Sequence, residues 1–142
     1  GRVVLQTFNP AHFCITAARD QDVQTFFARE IEFRRSLGYP PFSRLLQVRF
    51  SGTEKALVAE TARRIGGRLQ ETAARRHIEA DVMGPIESPL ARIAGRFRWQ
   101  LLARADSAAA LRRLAREAVF DEEAPPDRRV RIVVDVEPVS ML

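Results

Sequence analysis

The sequence predicts an α+β fold of the ferredoxin-like type, in which two helices cover one face of a four-stranded antiparallel sheet. Residues 96–104 and 129–137 alternate apolar and polar side chains, which is typical of strands with one buried face. Residues 53–75 and the stretch after Asp106-Ser107 repeat apolar side chains at helical spacing. After residue 42 the predicted order is β-α-β-β-α-β, and right-handed crossovers place both helices on one face.

Composition describes an ordinary globular protein with an excess of positive charge. Apolar residues make up 46% of the 142 residues, and 23 Lys and Arg against 18 Asp and Glu give a net charge of +5. This excess favours polyanionic partners through long-range attraction. No run of about 18 apolar residues exists, and the single cysteine, Cys14, excludes an internal disulfide and a cysteine-based metal site. We therefore expect an intracellular chain without a metal site.

The first forty-two residues predict a strand, a helix and a stiff joint. Residues 3–8 have the composition of a strand that Asn9-Pro10 ends, so we expect the numbering to start inside a larger protein. A helix is expected next, with Asp20 or Asp22 as its N-cap and Gly38 at its C-terminal end. Tyr39-Pro40-Pro41-Phe42 cannot continue a helix, which places a domain boundary at residue 42.

The remaining hundred residues supply the elements of the predicted sheet. Strands are expected at 45–50, at 78–83 ending at Gly84-Pro85, at 96–104 and at 129–137. The helix over residues 53–75 contains Gly66 and Gly67, each of which costs about 1 kcal/mol relative to alanine. These glycines mark either a close approach of the helix to the sheet or a break in the helix.

Alternation divides the predicted sheet into two chemically different faces, with the first and third strands in the middle. The side chains expected to face the helices are Val48, Phe50, Trp99, Leu101, Val130, Ile132, Val134 and Val136. The opposite face collects Gln47, Arg49, Arg98, Gln100, Arg104 and Arg131, together with Leu45, Leu102 and Val133. A face of such mixed polarity is more typical of a docking surface than of bare sheet in solvent.

No catalytic constellation is present in the sequence. Neither a GxxxxGK[ST] loop nor a GxGxxG fingerprint occurs, and Cys14 with nearby His12 lacks an acid to complete a triad. Glu79 and Asp81 fit an edge strand protected by charge better than a catalytic carboxylate pair. Trp99 is interpreted as a core residue in preference to a base-stacking platform, and Arg63-Arg64 as a solvated helix face in preference to a phosphate site. We therefore expect no catalytic residue and no ATPase activity in this chain.

Several short motifs follow one another at characteristic spacing. They are Tyr39-Pro40-Pro41-Phe42, then Gly84-Pro85, Gly95-Arg96-Phe97-Arg98 and Gln100, and finally Asp135-Val136 with Pro138. Over its whole length the chain resembles the C-terminal end of the PriA family of primosomal replication-restart helicases. Glu137 is a mild departure, because the family usually carries aspartate there.

The resemblance implies a longer parent protein, an ATP-dependent 3′-to-5′ DNA helicase that recognises abandoned forks and reloads the replicative helicase. Residues 1–42 are then the end of the second helicase lobe with a connecting helix, and residues 43–142 the C-terminal domain. The sites for ATP with Mg²⁺ and for zinc are implied upstream of residue 1, so no cofactor is expected in this chain. Other primosome proteins are expected partners, and the expected location is the cytoplasm, at the nucleoid and not at a membrane.

The resemblance also implies two binding roles for such domains, one for DNA and one for the acidic tail of single-stranded DNA-binding protein. For forks or single-stranded DNA the candidates are Arg49, Arg96, Arg98 and Arg131, because phosphate binding needs spaced cations. For the tail the candidates are Arg96, Arg112 and Arg116, since residues four apart share a helix face. The alternative is a structural brace for the helicase lobes with no direct ligand.

Overall fold

The computed structural model describes residues 1–120 and 125–138 and divides the chain into two compact units, Gly1–Tyr39 and Pro40–Leu142. The first unit contains two helices, and the second has the β-α-β-β-α-β order that the sequence predicts. The elements are α1 (Phe13–Asp20), α2 (Val23–Ser36), β1 (Arg44–Gly52), α3 (Lys55–Arg75), β2 (Asp81–Ile93), β3 (Arg96–Ala105), α4 (Ala108–Val119) and β4 (Arg131–Val136).

The ends of α2 are capped by the residues that the sequence indicates. The carboxylate of Asp22 accepts a hydrogen bond from the Thr25 N–H at 3.0 Å, which satisfies one of the free donors of the first turn. At the other end Gly38 takes a positive φ of 59°, and the Tyr39 N–H donates to the Arg34 carbonyl at 2.8 Å. This is a Schellman turn, for which glycine is the favoured residue.

The strand expected at residues 3–8 was a wrong prediction. These residues adopt no strand conformation, and Val3, Val4 and Phe8 are exposed. A strand needs a neighbouring strand for its backbone hydrogen bonds, and within the described part of the chain no strand pairs with this segment. The segment is followed by α1, a helix that the sequence pattern did not predict.

The second unit is built on one antiparallel sheet with the strand order β2-β3-β1-β4, so that β1 and β3 are central as predicted. Both α3 and α4 pack on the same face and contact each other. The side chains of β1 and β3 that meet the helices lie directly opposite one another, as Leu46 with Ala103, Val48 with Leu101 and Phe50 with Trp99. Ile132, Val134 and Val136 of β4 continue this face.

Strand β2 is longer than predicted, because Gly84-Pro85 interrupts its pairing without ending it. The register with β3 shifts between Met83 and Ile86, where two residues of β2 face one of β3, and again between Glu87 and Arg92. The first shift is a β-bulge, and Gly84 takes a φ of +91° there. Proline is tolerated at this place because β2 is an edge strand and a bulge leaves a residue outside the ladder.

The two glycines of α3 have different surroundings. A Cβ atom on Gly66 would lie 3.3 Å from Cδ of Pro85, whereas one on Gly67 would have no neighbour within 4 Å. Gly66 therefore marks the close approach of α3 to the sheet, and the helix continues unbroken through both residues.

Glu117 links the two helices on their outer side. Its carboxylate accepts hydrogen bonds from Arg76, the C-cap residue of α3, at 2.7 Å and from Arg113 of α4 at 3.1 Å. The hydrogen bond from Arg76 is the main cause that lowers the pKa of Glu117, and the bond from Arg113 adds to it. The charged form of Glu117 is therefore favoured in the folded state.

Replacing Gly67 with alanine should stabilise the domain by about 0.5–1 kcal/mol, because alanine restricts the unfolded chain and fits the open position. Gly66→Ala should gain less or lose stability, since its new methyl group presses on Pro85. Urea unfolding of the two variants measures the difference. Equal stabilisation by both would contradict the tight contact at Gly66.

Glu117→Gln should lower the melting temperature at pH 7 by a small amount. Because folding lowers the pKa of Glu117, its contribution is present above its ordinary value of about 4.5 and is lost as the pH falls through the folded value. The difference between the two proteins in thermal unfolding should therefore shrink below pH 4.5. Glu60→Gln is the control, since Glu60 forms no ion pair among the described residues. A difference that grows at low pH would contradict the ion-pair role.

Candidate functional site

The side of the sheet turned away from α3 and α4, here the distal face, carries arginines and apolar side chains in the predicted mixture. The centre of this face is not accessible to solvent, because Gln47 is fully buried there. The side-chain amide of Gln47 donates to Oε1 of Gln100 at 3.2 Å. The register places on this face Leu45, Gln47, Arg49 and Ser51 of β1, Arg98, Gln100, Leu102 and Arg104 of β3, and Arg131, Val133 and Asp135 of β4.

At the end of the sheet where β1 begins, the arginines are paired with acidic residues. Arg104 donates from Nη2 to Asp81 at 3.0 Å, and Arg44 donates to Glu137 at 2.6 Å. Asp81 thus pairs with a cation of the neighbouring strand, in agreement with the interpretation of a charged edge strand. Arg104, although it lies on the distal face, adds little net charge to it.

At the opposite end of β1, three arginines surround Ser51. Arg98 of β3 and Arg131 of β4 are its Cα partners on the two sides, which sets their own Cα atoms about 10 Å apart. Arg96 donates from Nη2 to the Ser51 carbonyl oxygen at 3.1 Å. Arg49 lies two residues earlier on the same face. The structure therefore brings together all four predicted DNA-binding candidates, here the arginine cluster (Arg49, Arg96, Arg98 and Arg131).

The positive charge of the arginines around Ser51 is not cancelled within the described part of the chain. Among residues 1–120 and 125–138, Arg98 and Arg131 form no ion pair, and the acceptor of Arg96 is a neutral carbonyl. Two like charges about 10 Å apart repel each other by about 0.4 kcal/mol in bulk water. A bound polyanion would relieve this repulsion, so the cluster is suited chemically to phosphate groups.

On α4 the three arginines have two different environments. Arg113 is held by Glu117, four residues further along the helix, at 3.1 Å. Arg112 and Arg116 are both exposed, share one side of the helix and form no ion pair with any described residue. They form a second, smaller patch of unneutralised charge.

The structure does not bring Arg96 to this pair, so the expected three-arginine tail site is not formed. Arg96 begins β3 and lies on the distal face, whereas α4 covers the opposite face and starts just after Ala105, where β3 ends. The sheet therefore lies between Arg96 and the two exposed arginines of α4. Only Arg112 and Arg116 remain together.

The other chemistry considered from the sequence is not assembled in the described residues. They contain no group of three or more His, Cys, Asp or Glu side chains that could hold a metal ion. His12 serves as the N-cap of α1 and accepts a hydrogen bond from the Cys14 N–H at 3.3 Å. Among the described helices, none has the length and hydropathy needed to cross a membrane.

Trp99 packs against the core from the helix side of β3, as predicted, but one part of it remains accessible. The guanidinium carbon of Arg63 lies 5.8 Å from its ring centre. A second such contact, 5.1 Å from Arg92 to the Phe97 ring, follows on the same side. These contacts were not predicted from the sequence, where the only signal for them is that Phe97 and Trp99 alternate with arginines in one strand.

Comparison with known proteins connects this fold with one family. The family model of the primosomal protein N C-terminal domain matches residues 35–139. Replication restart protein PriA of Treponema pallidum (strain Nichols) is 34% identical over 142 residues, which cover 100% of this chain and 21% of that protein. The protein of the same name from Bacillus subtilis (strain 168) is 30% identical over 143 residues, covering 100% and 17%. The one from Haemophilus influenzae is 29% identical over 141 residues, covering 99% and 19%.

The chain therefore spans about a fifth of the length of the curated relatives that it matches. The matched range includes the whole four-stranded sheet and the Tyr39-Pro40-Pro41-Phe42 joint. It also includes every residue of the arginine cluster. The chain belongs to the PriA family of replication restart proteins and carries the primosomal protein N C-terminal domain.

Proposed function

We propose that this domain supplies part of the DNA-binding surface of a longer replication restart protein, through the arginine cluster. The observation that carries the proposal is the position of Arg98 and Arg131 on either side of Ser51, without an acidic partner among the described residues. Charge that the described residues leave unneutralised is available to an external polyanion. The names of the relatives, which are replication restart proteins, support DNA as that polyanion.

The chemistry of the cluster favours contacts with the phosphate backbone. Its side chains are guanidinium groups, which bind phosphate oxygens through two parallel hydrogen bonds, and contacts to phosphate carry no sequence information. Binding to branched or single-stranded DNA would therefore be independent of base sequence and sensitive to salt. The domain would hold the DNA while the parent acts on it.

The activity of the parent is part of the same proposal. In it, the longer protein is an ATP-dependent 3′-to-5′ DNA helicase, with the sites for ATP, Mg²⁺ and zinc upstream of residue 1. The domain contributes affinity for stalled forks, so that the replicative helicase can be reloaded there with other primosome proteins. Membership of the PriA family is what supports this assignment.

Replacing Arg98 and Arg131 together with alanine should make DNA binding less dependent on salt. Each phosphate contact contributes close to one unit to the slope of log affinity against log salt, so the slope should flatten by up to about two units. Fluorescence anisotropy with a labelled fork DNA at several salt concentrations measures it.

The matched control removes the same charge from Arg75 and Arg113, which both lie within ion-pair distance of Glu117. This control should leave the slope almost unchanged. If the Arg98/Arg131 variant keeps the native slope, the DNA site lies elsewhere, for instance on the Arg63-Arg64 face. If the unaltered chain binds no DNA at all, the domain is a brace for the helicase lobes.

A second candidate function, binding of the acidic tail of single-stranded DNA-binding protein, is favoured by the environment of α4. Arg112 and Arg116 are exposed on one side of the helix and have no acidic partner among the described residues. Two guanidinium groups four residues apart can converge on one carboxylate. Arg113 is already bound to Glu117 and so contributes less.

Arg112→Ala and Arg116→Ala should each weaken binding of a labelled acidic peptide by up to about fivefold. This corresponds to the value of about 0.2–1 kcal/mol that exposed ion pairs have. Arg113→Ala should weaken it less, and all three variants should keep the affinity for DNA. Anisotropy titrations at one salt concentration compare them. Equal losses for the three variants would indicate general electrostatic attraction without a defined site.

A further inference from the structure

Two aromatic rings on the helix side of β3 are each covered by an arginine from a different element. The guanidinium of Arg92, on β2, lies 5.1 Å from the centre of the Phe97 ring. The guanidinium of Arg63, on α3, lies 5.8 Å from the centre of the Trp99 ring. Both rings are half-buried and both arginines are exposed, so each stack is accessible from solvent on its outer side.

The two stacks form one continuous surface. Phe97 and Trp99 are two residues apart on β3, so their side chains point to the same side at a spacing of about 7 Å. Arg92 is the Cα partner of Phe97, which places it on this side as well. Here we call these four residues, Arg63, Arg92, Phe97 and Trp99, the stacking surface.

The stacking surface keeps its positive charge. Neither Arg63 nor Arg92 forms an ion pair with any residue that the structure describes. The acidic residue opposite Trp99 is Glu87, which is ion-paired with Lys55 at the start of α3. The stacking surface therefore combines planar aromatic rings with guanidinium groups whose charge is not cancelled.

A purely structural role explains Trp99 less well than a binding role does. Buried indole N–H groups usually find an acceptor, but Nε1 of Trp99 is buried and has none among the described residues. A phenylalanine, which has no N–H group, would avoid this cost. What tryptophan adds here is a larger ring beneath a guanidinium.

We propose that the stacking surface binds unpaired nucleobases of single-stranded nucleic acid, one on each arginine–aromatic pair. Bases stack on aromatic rings and on guanidinium planes, and the phosphates between them attract the same arginines. The inference rests on the proposed function and deepens it, because it assigns bases to one side of the sheet and phosphates to the other. The two surfaces meet at the β2–β3 hairpin, where Arg96 faces the distal side and Phe97 the helix side.

Trp99 is the only tryptophan of the chain, so its fluorescence reports on this surface directly. An oligothymidylate should quench the emission of Trp99 as it binds. An abasic oligomer of the same length and charge should bind without quenching, and about fivefold to a hundredfold more weakly for each base that stacks. This comparison uses the unaltered chain and does not depend on the folding of a variant.

Phe97→Leu keeps an apolar side chain and removes the ring. It should lower the affinity for oligothymidylate severalfold and leave the affinity for the abasic oligomer unchanged. The matched control is Phe120→Leu, because Phe120 is an exposed phenylalanine at the end of α4, outside the stacking surface. The control should change neither affinity, and circular dichroism establishes that both variants are folded.

The outcomes separate this inference from the proposed function. Equal affinity for the two oligomers without any change in Trp99 emission would overturn the stacking surface. If the Arg98/Arg131 variant still loses affinity in that case, the arginine cluster stands alone. Equal losses in Phe97→Leu and Phe120→Leu would also overturn the stacking surface. If neither oligomer binds the unaltered chain but fork DNA does, the stacking surface is wrong and the arginine cluster stands. If fork DNA does not bind either, both proposals are wrong.

Discussion

The pairing of β1 with two neighbours is the constraint on which the rest of the second unit depends. β1 is hydrogen-bonded to β3 on one side and to β4 on the other, in antiparallel register over most of its length. Its even-numbered side chains, Leu46, Val48 and Phe50, are buried under the helices. A slip of one residue would turn them to the distal face and place Gln47 and Arg49 in the core. Burial of the apolar set therefore fixes the register of all three strands.

The same register decides where positive charge accumulates. Because Ser51 pairs with Arg98 and Arg131 at once, the arginines of three separate strands converge near one end of the sheet. At the other end Asp81 and Glu137 cancel the charges of Arg104 and Arg44. On the distal face, the uncancelled positive charge therefore lies mainly at the end of the sheet near Ser51. This local excess of positive charge is the physical basis of the proposed phosphate-binding role.

In the proposed binding of single-stranded DNA, the two faces of the sheet have different roles. The distal face offers guanidinium groups around a small serine, which suits phosphate oxygens. The helix side, beside α3, offers rings backed by Arg63 and Arg92, which suits the faces of bases. Both surfaces depend on β3, whose side chains alternate between them. The chain belongs to a family of replication restart proteins, which is consistent with both surfaces taking part in the proposed DNA binding.

Much of this fold could be predicted from the sequence, because its signals are local. Alternation over residues 96–104 and helical spacing over residues 53–75 report which side chains are buried, and Asp22 and Gly38 act within a single helical turn. The central position of β1 and β3 followed from the order of the elements and the handedness of crossovers. The alternation of apolar and polar side chains along the strands likewise predicted that Arg49, Arg98 and Arg131 lie on one face of the sheet.

What only the tertiary structure decided involves partners that are distant in sequence. Residues 3–8 have the composition of a strand but have no neighbour to pair with among the residues that the structure describes. β2 extends through Gly84-Pro85 because β3 pairs with it on both sides of the bulge. The ion pairs of Arg104 and Arg113 and the separation of Arg96 from α4 likewise depend on the arrangement in space. A sequence pattern shows which face a side chain takes, since that depends on a few neighbouring backbone angles. Whether the charge of a side chain is cancelled, or an aromatic ring is covered, depends on residues distant in sequence. Only the folded structure brings those residues into contact.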